Sequence, residues 1–361
     1  MEISEIQVDG YEKVARCRDK ATGLHALIAI HDTTLGPALG GMRMLPYASE
    51  DEALFDVLRL SKGMTYKSAV ADTGLGGGKS VVIGDPKKHK SPELFRAMGR
   101  FIESLGGRYI TAEDMNIGIP DLDHVREITR WVVGLSRESG SSGNPSPYTA
   151  RGCVHGIRAV LEELYGKPDF RGKRILIQGV GAVGGRLAAL LGQEGAHVII
   201  CDIDAVKTER MRAEHGFEVV QDEVHHGVPC DIYAPCARGA GLNDDSIPEL
   251  RCKAVAGCAN NQLLDPRHAL ELKRRGILYA PDYVINAGGI INVSLELVPG
   301  GYKEEAALRK IATIYDNLKL VFAIAKEKNV DTREAASHLA ELRLERGRAE
   351  KRAKTTATKR A

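Results

Sequence analysis

The feature that most constrains this chain is the hexapeptide Gly179-Val180-Gly181-Ala182-Val183-Gly184. A G-x-G-x-x-G string alone is a weak signal, but this one sits between a strand-like run, Arg174–Gln178, and a helix-like run from Val183 to Gln193. A second strand-like run then ends in Cys201-Asp202, with Asp202 18 residues beyond Gly184. That is the context a dinucleotide-binding strand–turn–helix unit requires. The glycines permit a tight turn, close approach of backbone to a pyrophosphate, and close helix–strand packing. The helix N-terminus offers unpaired N–H groups to the anion. Asp202 is placed to accept hydrogen bonds from the adenine-side ribose and to repel a 2′-phosphate, which favours NAD over NADP. The alternative is a turn of the same shape that binds nothing.

The pattern around the motif extends it into a domain. From residue 173 the apolar runs KRILIQG, AHVIICD, DIYAP, KAVAG and ILYAPDYVI alternate with helix-like stretches near 183–193, 205–215 and 265–275. This alternation predicts a doubly wound parallel sheet, hence an α/β fold. At 361 residues the chain has room for a second domain. The stretch ESGSSGNPSP (138–147) has the small residues and prolines of a boundary or hinge. Upstream, ALIAIHD (26–32) reads as a strand and LGPALGGM (35–42) as a turn. A helix is expected from Ser49, with Glu52 completing a capping box, through Met64. Two short β-like runs are expected to flank the glycines of MTYKSAVADTGLGGGKSVVIGDP (64–86), and a second helix to run from Ser91 to Leu105. A helix over 149–165, stopped by Gly166, and two more over 303–327 and 332–350 complete the reading.

Charge and cysteine usage exclude several classes. Lys plus Arg number 50 and Asp plus Glu 48, so no global field favours nucleic acid or anionic lipid. Between 341 and 361, however, eight Lys/Arg stand against three Glu. This basic tail is expected to be a solvated helix end, with a nucleic-acid or membrane-surface binder as the alternative from another class. Seven cysteines at irregular spacing, with no C-x-x-C, read as reduced thiols of a cytoplasmic protein. His225, His226, Cys230 and Cys236 lack the short paired spacings of a structural zinc site, so no metal is expected. No long apolar run reaches membrane-spanning length, and the start MEISEIQVDGYEK lacks the apolar core of a secretory signal.

Candidate chemistry lies in two further groups. Lys67 and Lys79 flank Gly74–Gly78. The Gly78-Lys79-Ser80 string is no phosphate loop, because position 73 is Thr and a strand-like run follows. Two lysines beside a glycine run suit a general base and a carboxylate anchor, since a partly dry lysine near a second cation releases its proton easily. Solvated surface lysines are the plainer alternative. Asp114, in ITAED, ends a strand and can shuttle a proton or cap a loop. Asn260-Asn261 and Asn286-Ala287-Gly288-Gly289 lie at expected strand C-termini of the second domain, where ligands of such sheets bind.

The strings HDTTLGPALGG, LRLSKGMTYK, LGGGKSVVIGDP, GRYITAED, GSSGNPSP, DIYAPCA, ANNQL and APDYVINAGGIIN together resemble the family of glutamate, leucine, valine and phenylalanine dehydrogenases, its leucine/valine branch above all. The resemblance covers about residues 25–345. It implies a substrate-binding and catalytic domain over 1–140, a Rossmann NAD-binding domain over 141–327, a helix over 328–350 returning to the first domain, and a basic tail over 351–361. It also implies a cleft that opens and closes, which suits the hinge near 138–150.

By the same resemblance Lys79 matches the catalytic lysine, Lys67 the lysine that pairs with the substrate carboxylate, and Asp114 the acid that assists proton transfer. Thr149, Asn260 and Asn261 match residues near nicotinamide and substrate, and Leu39, Gly40, Ala112, Ile290 and Val293 match the side-chain pocket. The implied activity is reversible, NAD-dependent oxidative deamination of an L-amino acid by a homo-oligomer, from dimer to octamer, with neither nucleic acid nor membrane as partner. The aliphatic pocket residues favour leucine, isoleucine or valine, with phenylalanine or tryptophan as the alternative.

Overall fold

A computed structural model describes residues 1–358, and the chain divides into two compact units. The first comprises Met1–Asn144, Val293–Tyr302 and the chain from Ala340; the second comprises Pro145–Asn292 and Lys303–Leu339.

In chain order the first unit runs β1 (Glu2–Ile6), β2 (Lys13–Asp19), β3 (Leu24–Asp32), β4 (Ala38–Leu45), α1 (Glu50–Val70), β5 (Gly76–Ile83), α2 (Pro92–Glu103), β6 (Tyr109–Glu113) and α3 (Ile119–Arg126). The strands form one sheet ordered β1-β2-β3-β5-β4-β6, with β4 parallel to both of its neighbours. Ala26, Ile28 and Ile30 face a core shared with Phe95, Met98 and Phe101 of α2. Leu27 and Ala29 face Ala53 and Val57 of α1. A strand covered on both faces needs apolar residues at every position, which explains the unbroken run ALIAI.

Two expectations fail here for one reason. LGPALGGM bends only over its first three residues, because Ala38–Leu45 is a strand. The glycines of GGGKS do not separate two strands but lie inside β5. A Cβ on Gly40 would stand 1.7 Å from the Gly78 carbonyl oxygen, and one on Gly77 would stand 2.1 Å from the Thr65 nitrogen. Glycine is required by close backbone packing, not by turning. The same packing corrects the β-like reading of MTYK. With Ser61, Thr65, Ser68 and Ala69 as its buried small-residue face, α1 continues to Val70 against β5, and Lys67 lies in its last turn.

The second unit runs α4 (Ser146–Tyr165), β7 (Arg174–Gln178), α5 (Gly184–Gln193), β8 (His197–Cys201), α6 (Ala205–His215), β9 (Glu218–Val219), β10 (Cys230–Pro235), α7 (Ser246–Glu249), β11 (Cys252–Val255), α8 (Arg267–Arg274), β12 (Leu278–Tyr279), α9 (Asp282–Ile285), α10 (Gly288–Ser294) and α11 (Glu304–Lys328). Its sheet is wholly parallel, ordered β12-β11-β10-β7-β8-β9, so the strand order reverses between β7 and β10. This is the doubly wound arrangement, with its binding crevice at the carboxyl ends beside that reversal. The run ILYAPDYVI is strand only over Leu278–Tyr279, since Pro281 opens α9.

Residues 293–302 belong with the first unit, although the expected boundaries put them in 141–327. Glu296 explains this: its carboxylate accepts the N–H groups of Gly134 and Ser142, both at 3.0 Å, and the Ser141 hydroxyl at 2.6 Å. The last helix, α12, spans Thr332–Thr358 and joins the first unit from Ala340. It overruns the expected end at 350, so the supposed tail is helical through Thr358, while residues 359–361 lie outside the described residues. Nor is its basic face purely solvated. Arg348 pairs with Asp32 at 3.2 Å and Lys351 donates to the Thr33 carbonyl at 2.7 Å. Among the described residues no helix is long and apolar enough to cross a membrane.

Candidate active site

Three adjacent strands of the first unit converge on one buried charge cluster. Lys79, in the middle of β5, is 6% exposed, and its Nζ donates to Oδ2 of Asp114 just beyond β6. Asp114 sits at a tight turn in which Asn116 takes a left-handed φ of 62°. That turn is sewn to β4: Met44 N–H donates to the Met115 carbonyl at 3.2 Å, and the Asn116 amide donates to the Met44 carbonyl at 3.0 Å. Gly41 leaves the turn its space, since a Cβ there would lie 2.8 Å from Asp114 Cβ.

The spacing of the two lysines suggests Lys67 as a second cation at Lys79; Arg43 of β4 is a further cation, and it lies on the carboxylate that Lys79 contacts. Its Nε lies 3.2 Å from the same Asp114 Oδ2, and its Nη1 lies 3.1 Å from Asp56 of α1. Asp56 also accepts the Tyr47 hydroxyl at 2.8 Å and Arg59 at 3.0 Å. Burial drives the Lys79 pKa below the ordinary lysine value, and Asp114 opposes this without cancelling it. Burial also raises the carboxyl of Asp114, but Lys79 and Arg43 outweigh it and hold that group below its usual range. The result is a lysine biased toward its neutral form beside a firmly ionised acid. Sequence reasoning missed Arg43 and Asp56. The only trace of Arg43 is its place after the two glycines of GGMR, on the face opposite buried Met42.

Lys67 is half-buried at the end of α1. Of the expected pocket residues, Leu39, Gly40 and Ala112 lie on the adjacent β4 and β6, with Leu39 opposite Ile110 and Gly41 opposite Ala112. Val293 also belongs to the first unit, whereas Ile290 belongs to the second.

The glycine turn of the second unit fits a dinucleotide. Gly179 has φ of 91°, and a Cβ there would meet Ala237 at 2.7 Å. A Cβ on Gly184 would lie 2.0 Å from the Gly179 carbonyl oxygen, so the helix start and the strand end touch backbone to backbone. A Cβ on Gly181 would meet nothing within 4 Å, which leaves the space a pyrophosphate needs. Ala182 and Val183 lead into the N-terminus of α5. One Asp202 oxygen accepts Val180 N–H at 2.8 Å and the other accepts Asp204 N–H at 2.9 Å. A carboxylate oxygen retains a second lone pair, so Asp202 is fixed yet still able to take ribose hydroxyls. Ile203, beside it, is 81% exposed.

Elsewhere in the unit, Thr149 Oγ1 donates to the Pro145 carbonyl at 3.2 Å, in the first turn of α4. Asn260 and Asn261 follow β11, and Asn260 Oδ1 accepts the buried Asn286 amide at 2.8 Å. Among the described residues Cys201, Asp222 and His225 place ligand-type atoms within 4.8 Å of one another. Both ring nitrogens of His225 are engaged there, by the Asp222 carbonyl and by the Tyr233 hydroxyl.

Comparison with known proteins matches two family models. One, described as "Glu/Leu/Phe/Val dehydrogenase, dimerisation domain", matches residues 11–131. The other, "Glutamate/Leucine/Phenylalanine/Valine dehydrogenase", matches residues 140–206 and 202–351. A leucine dehydrogenase of Geobacillus stearothermophilus is 53% identical over 93% of this chain and 91% of its own length. A phenylalanine dehydrogenase of Thermoactinomyces intermedius is 50% identical over 93% and 92%. The crystal structure of L-tryptophan dehydrogenase from Nostoc punctiforme superposes with a TM-score of 0.85 at 42% identity, covering 94% of this chain and 97% of that one.

Proposed function

Because this chain belongs to the family of glutamate, leucine, phenylalanine and valine dehydrogenases, we infer that it catalyses reversible, NAD-dependent oxidative deamination of a branched-chain aliphatic L-amino acid. The products are the 2-oxo acid, ammonia and NADH. The observation that carries the reading is the buried Lys79, biased toward the neutral amine by its surroundings and hydrogen-bonded to Asp114.

NAD, when bound at Gly179–Gly184 and Asp202, supplies the acceptor for the hydride that leaves the substrate Cα. The chain supplies position and proton transfer. Charged Lys67 holds the substrate carboxylate and so orients Cα. Neutral Lys79 accepts a proton from the substrate ammonium and releases it to solvent; neutral again, it accepts a proton from the water that attacks the imine carbon and returns it to the departing ammonia. Asp114, ionised and tied to Lys79 and Arg43, aims the Lys79 amine and stabilises it once it has taken the proton. Thr149, Asn260 and Asn261 offer polar contacts to the nicotinamide end.

Leu39, Ala112, Ile290 and Val293 are all aliphatic, and no lysine or arginine stands among them to hold a second carboxylate. This supports leucine, isoleucine or valine over glutamate, as does the similarity to leucine dehydrogenases. The similarity to phenylalanine and tryptophan dehydrogenases supports an aromatic substrate as the second reading. One methylene in an apolar pocket is worth about 1–3 kcal/mol, so few contacts separate the two. The similarity of residues 11–131 to a dimerisation domain supports self-association.

NADH formation measured with the twenty L-amino acids at alkaline pH tests the proposal. The highest kcat/KM is expected among leucine, isoleucine and valine. A higher value for phenylalanine or tryptophan transfers the assignment to the aromatic branch.

A further inference from the structure

We propose that Arg43 is a positioning residue of this site, one that shares the Asp114 carboxylate oxygen with Lys79 and thereby keeps Lys79 able to accept a proton. The proposal rests on the reading of Lys79 as proton acceptor.

The geometry is specific. Arg43 Nε and Lys79 Nζ both address the same oxygen, Oδ2 of Asp114. One carboxylate oxygen is thus divided between two cations, and the guanidinium cannot lose its charge. Alone with Asp114, Lys79 would form an ordinary buried ion pair, and such a pairing stabilises the protonated amine. With Arg43 present the acid is already neutralised in part, and a second positive charge lies beside the amine.

Arg43 is itself held from the other side. Its Nη1 reaches Asp56 on α1 at 3.1 Å, and its side chain is 14% exposed. Asp56 is fixed in turn by the Tyr47 hydroxyl and by Arg59. The charged and titratable groups bearing on Lys79 within this unit include Asp114 beyond β6, Arg43 on β4 and Asp56 on α1, with Tyr47 behind Asp56. Arg43 is the member of that set that favours deprotonation of Lys79, and both carboxylates oppose it.

The two neighbours therefore act with opposite sign on the pH at which activity appears. Arg43→Gln leaves Asp114 to Lys79 alone, and the midpoint of the rising limb of kcat/KM against pH should move to higher pH. A rise of about one pH corresponds to about tenfold lower kcat/KM below the limb, with the alkaline plateau little changed. Asp56→Asn removes an opposing negative charge and frees Arg43 for Asp114, so the midpoint should move to lower pH. Arg43→Lys, which keeps the charge, should restore most of the wild-type profile.

The experiment is the pH profile of kcat/KM of the full-length enzyme for its best amino-acid substrate, in these three variants and in Lys79→Ala. Opposite movements in Arg43→Gln and Asp56→Asn establish the role. If Arg43→Gln fails to fold, Arg43→Ala takes its place: a midpoint moved to higher pH there supports the role, and an unmoved midpoint overturns it. Profiles with unchanged midpoints, lowered uniformly at every pH, overturn it and leave Arg43 a merely structural group. A Lys79→Ala enzyme that keeps the rising limb overturns the reading of Lys79 itself. Loss of the limb there, with no movement in the other variants, removes only the role of Arg43.

Discussion

Arg343 Nη1 donates to the Ala69 carbonyl oxygen at 3.1 Å, so that the C-terminal helix α12 caps the end of the helix that carries Lys67. The last carbonyls of a helix lack partners within it, and here the guanidinium also takes the neighbouring Val70 carbonyl. Glu341, half a turn earlier on α12, accepts the Tyr66 hydroxyl next to Lys67. Removing the cap takes the guanidinium from the Val70 carbonyl, while Ala69 keeps the Asp72 N–H at 3.1 Å; a part-buried carbonyl left without its partner costs about 1–3 kcal/mol. Arg343→Ala should therefore lower the melting temperature and raise the amino-acid KM more than it lowers kcat. Unchanged KM and melting temperature would show that α12 does not hold Lys67 in place.

The two lysines should separate kinetically. Lys79→Ala should lower kcat by about 10²–10⁴, the usual contribution of a general base, while NADH binding measured by fluorescence titration barely changes. Lys67→Ala should instead raise the amino-acid KM strongly, because the substrate carboxylate loses its cation. If Lys79 acts as the neutral amine, as proposed, kcat/KM of the wild-type enzyme should rise with pH. The midpoint should fall below the ~10.4 of a free lysine, because burial disfavours its charged form. A Lys79→Ala enzyme with near-normal kcat would pass the proton-accepting role to Asp114 and a water.

Cofactor choice should depend on Asp202. Asp202→Ala removes both the acceptor offered to the ribose and the one that fixes Val180 N–H. Hydrogen bonds to charged groups are worth about 1.5–3 kcal/mol, so kcat/KM for NAD should drop about 10–100-fold and the gap to NADP should narrow. Equal efficiency with NAD and NADP in the unmutated enzyme would refute the assignment.

Two glycines should respond oppositely to alanine. Gly40→Ala would drive a methyl to 1.7 Å from the Gly78 carbonyl oxygen. Overpacking of this kind costs about 1–3 kcal/mol or more, and chemical denaturation should record it. Gly181→Ala adds its methyl where nothing lies within 4 Å. Its stability should match the parent while its KM for NAD rises. A stable Gly40→Ala enzyme would mean that β4 and β5 can move apart at little cost.

Residue order alone determined the strand–turn–helix motif of the second unit and its alternation of strands with helices. The strand Arg174–Gln178, the glycine turn and Asp202 are local features, and each glycine answers a constraint set within a few residues or by the next strand. Helix starts were legible for the same reason: Ser49 Oγ accepts Glu52 N–H at 3.1 Å and Ser91 Oγ accepts Leu94 N–H at 3.2 Å, contacts three residues apart. The glycines of GGMR and GGGKS misled because their cause is distant. They are strand residues only because Thr65, Gly78 and Glu113 arrive from other elements and leave no room for a Cβ.

The charge cluster belongs wholly to tertiary structure. Arg43 and Asp114 are 71 residues apart, and no periodicity links them. The first sheet decides their meeting by placing β4 between β5 and β6. Likewise the basic end of the chain, read by composition as a solvated tail, becomes part of the first unit because α12 brings Arg343 to the Ala69 carbonyl and Arg348 to Asp32. Residue types told which groups were capable of chemistry, while burial and strand order, both long-range, decided which of them lose water, share a carboxylate and so change their affinity for a proton.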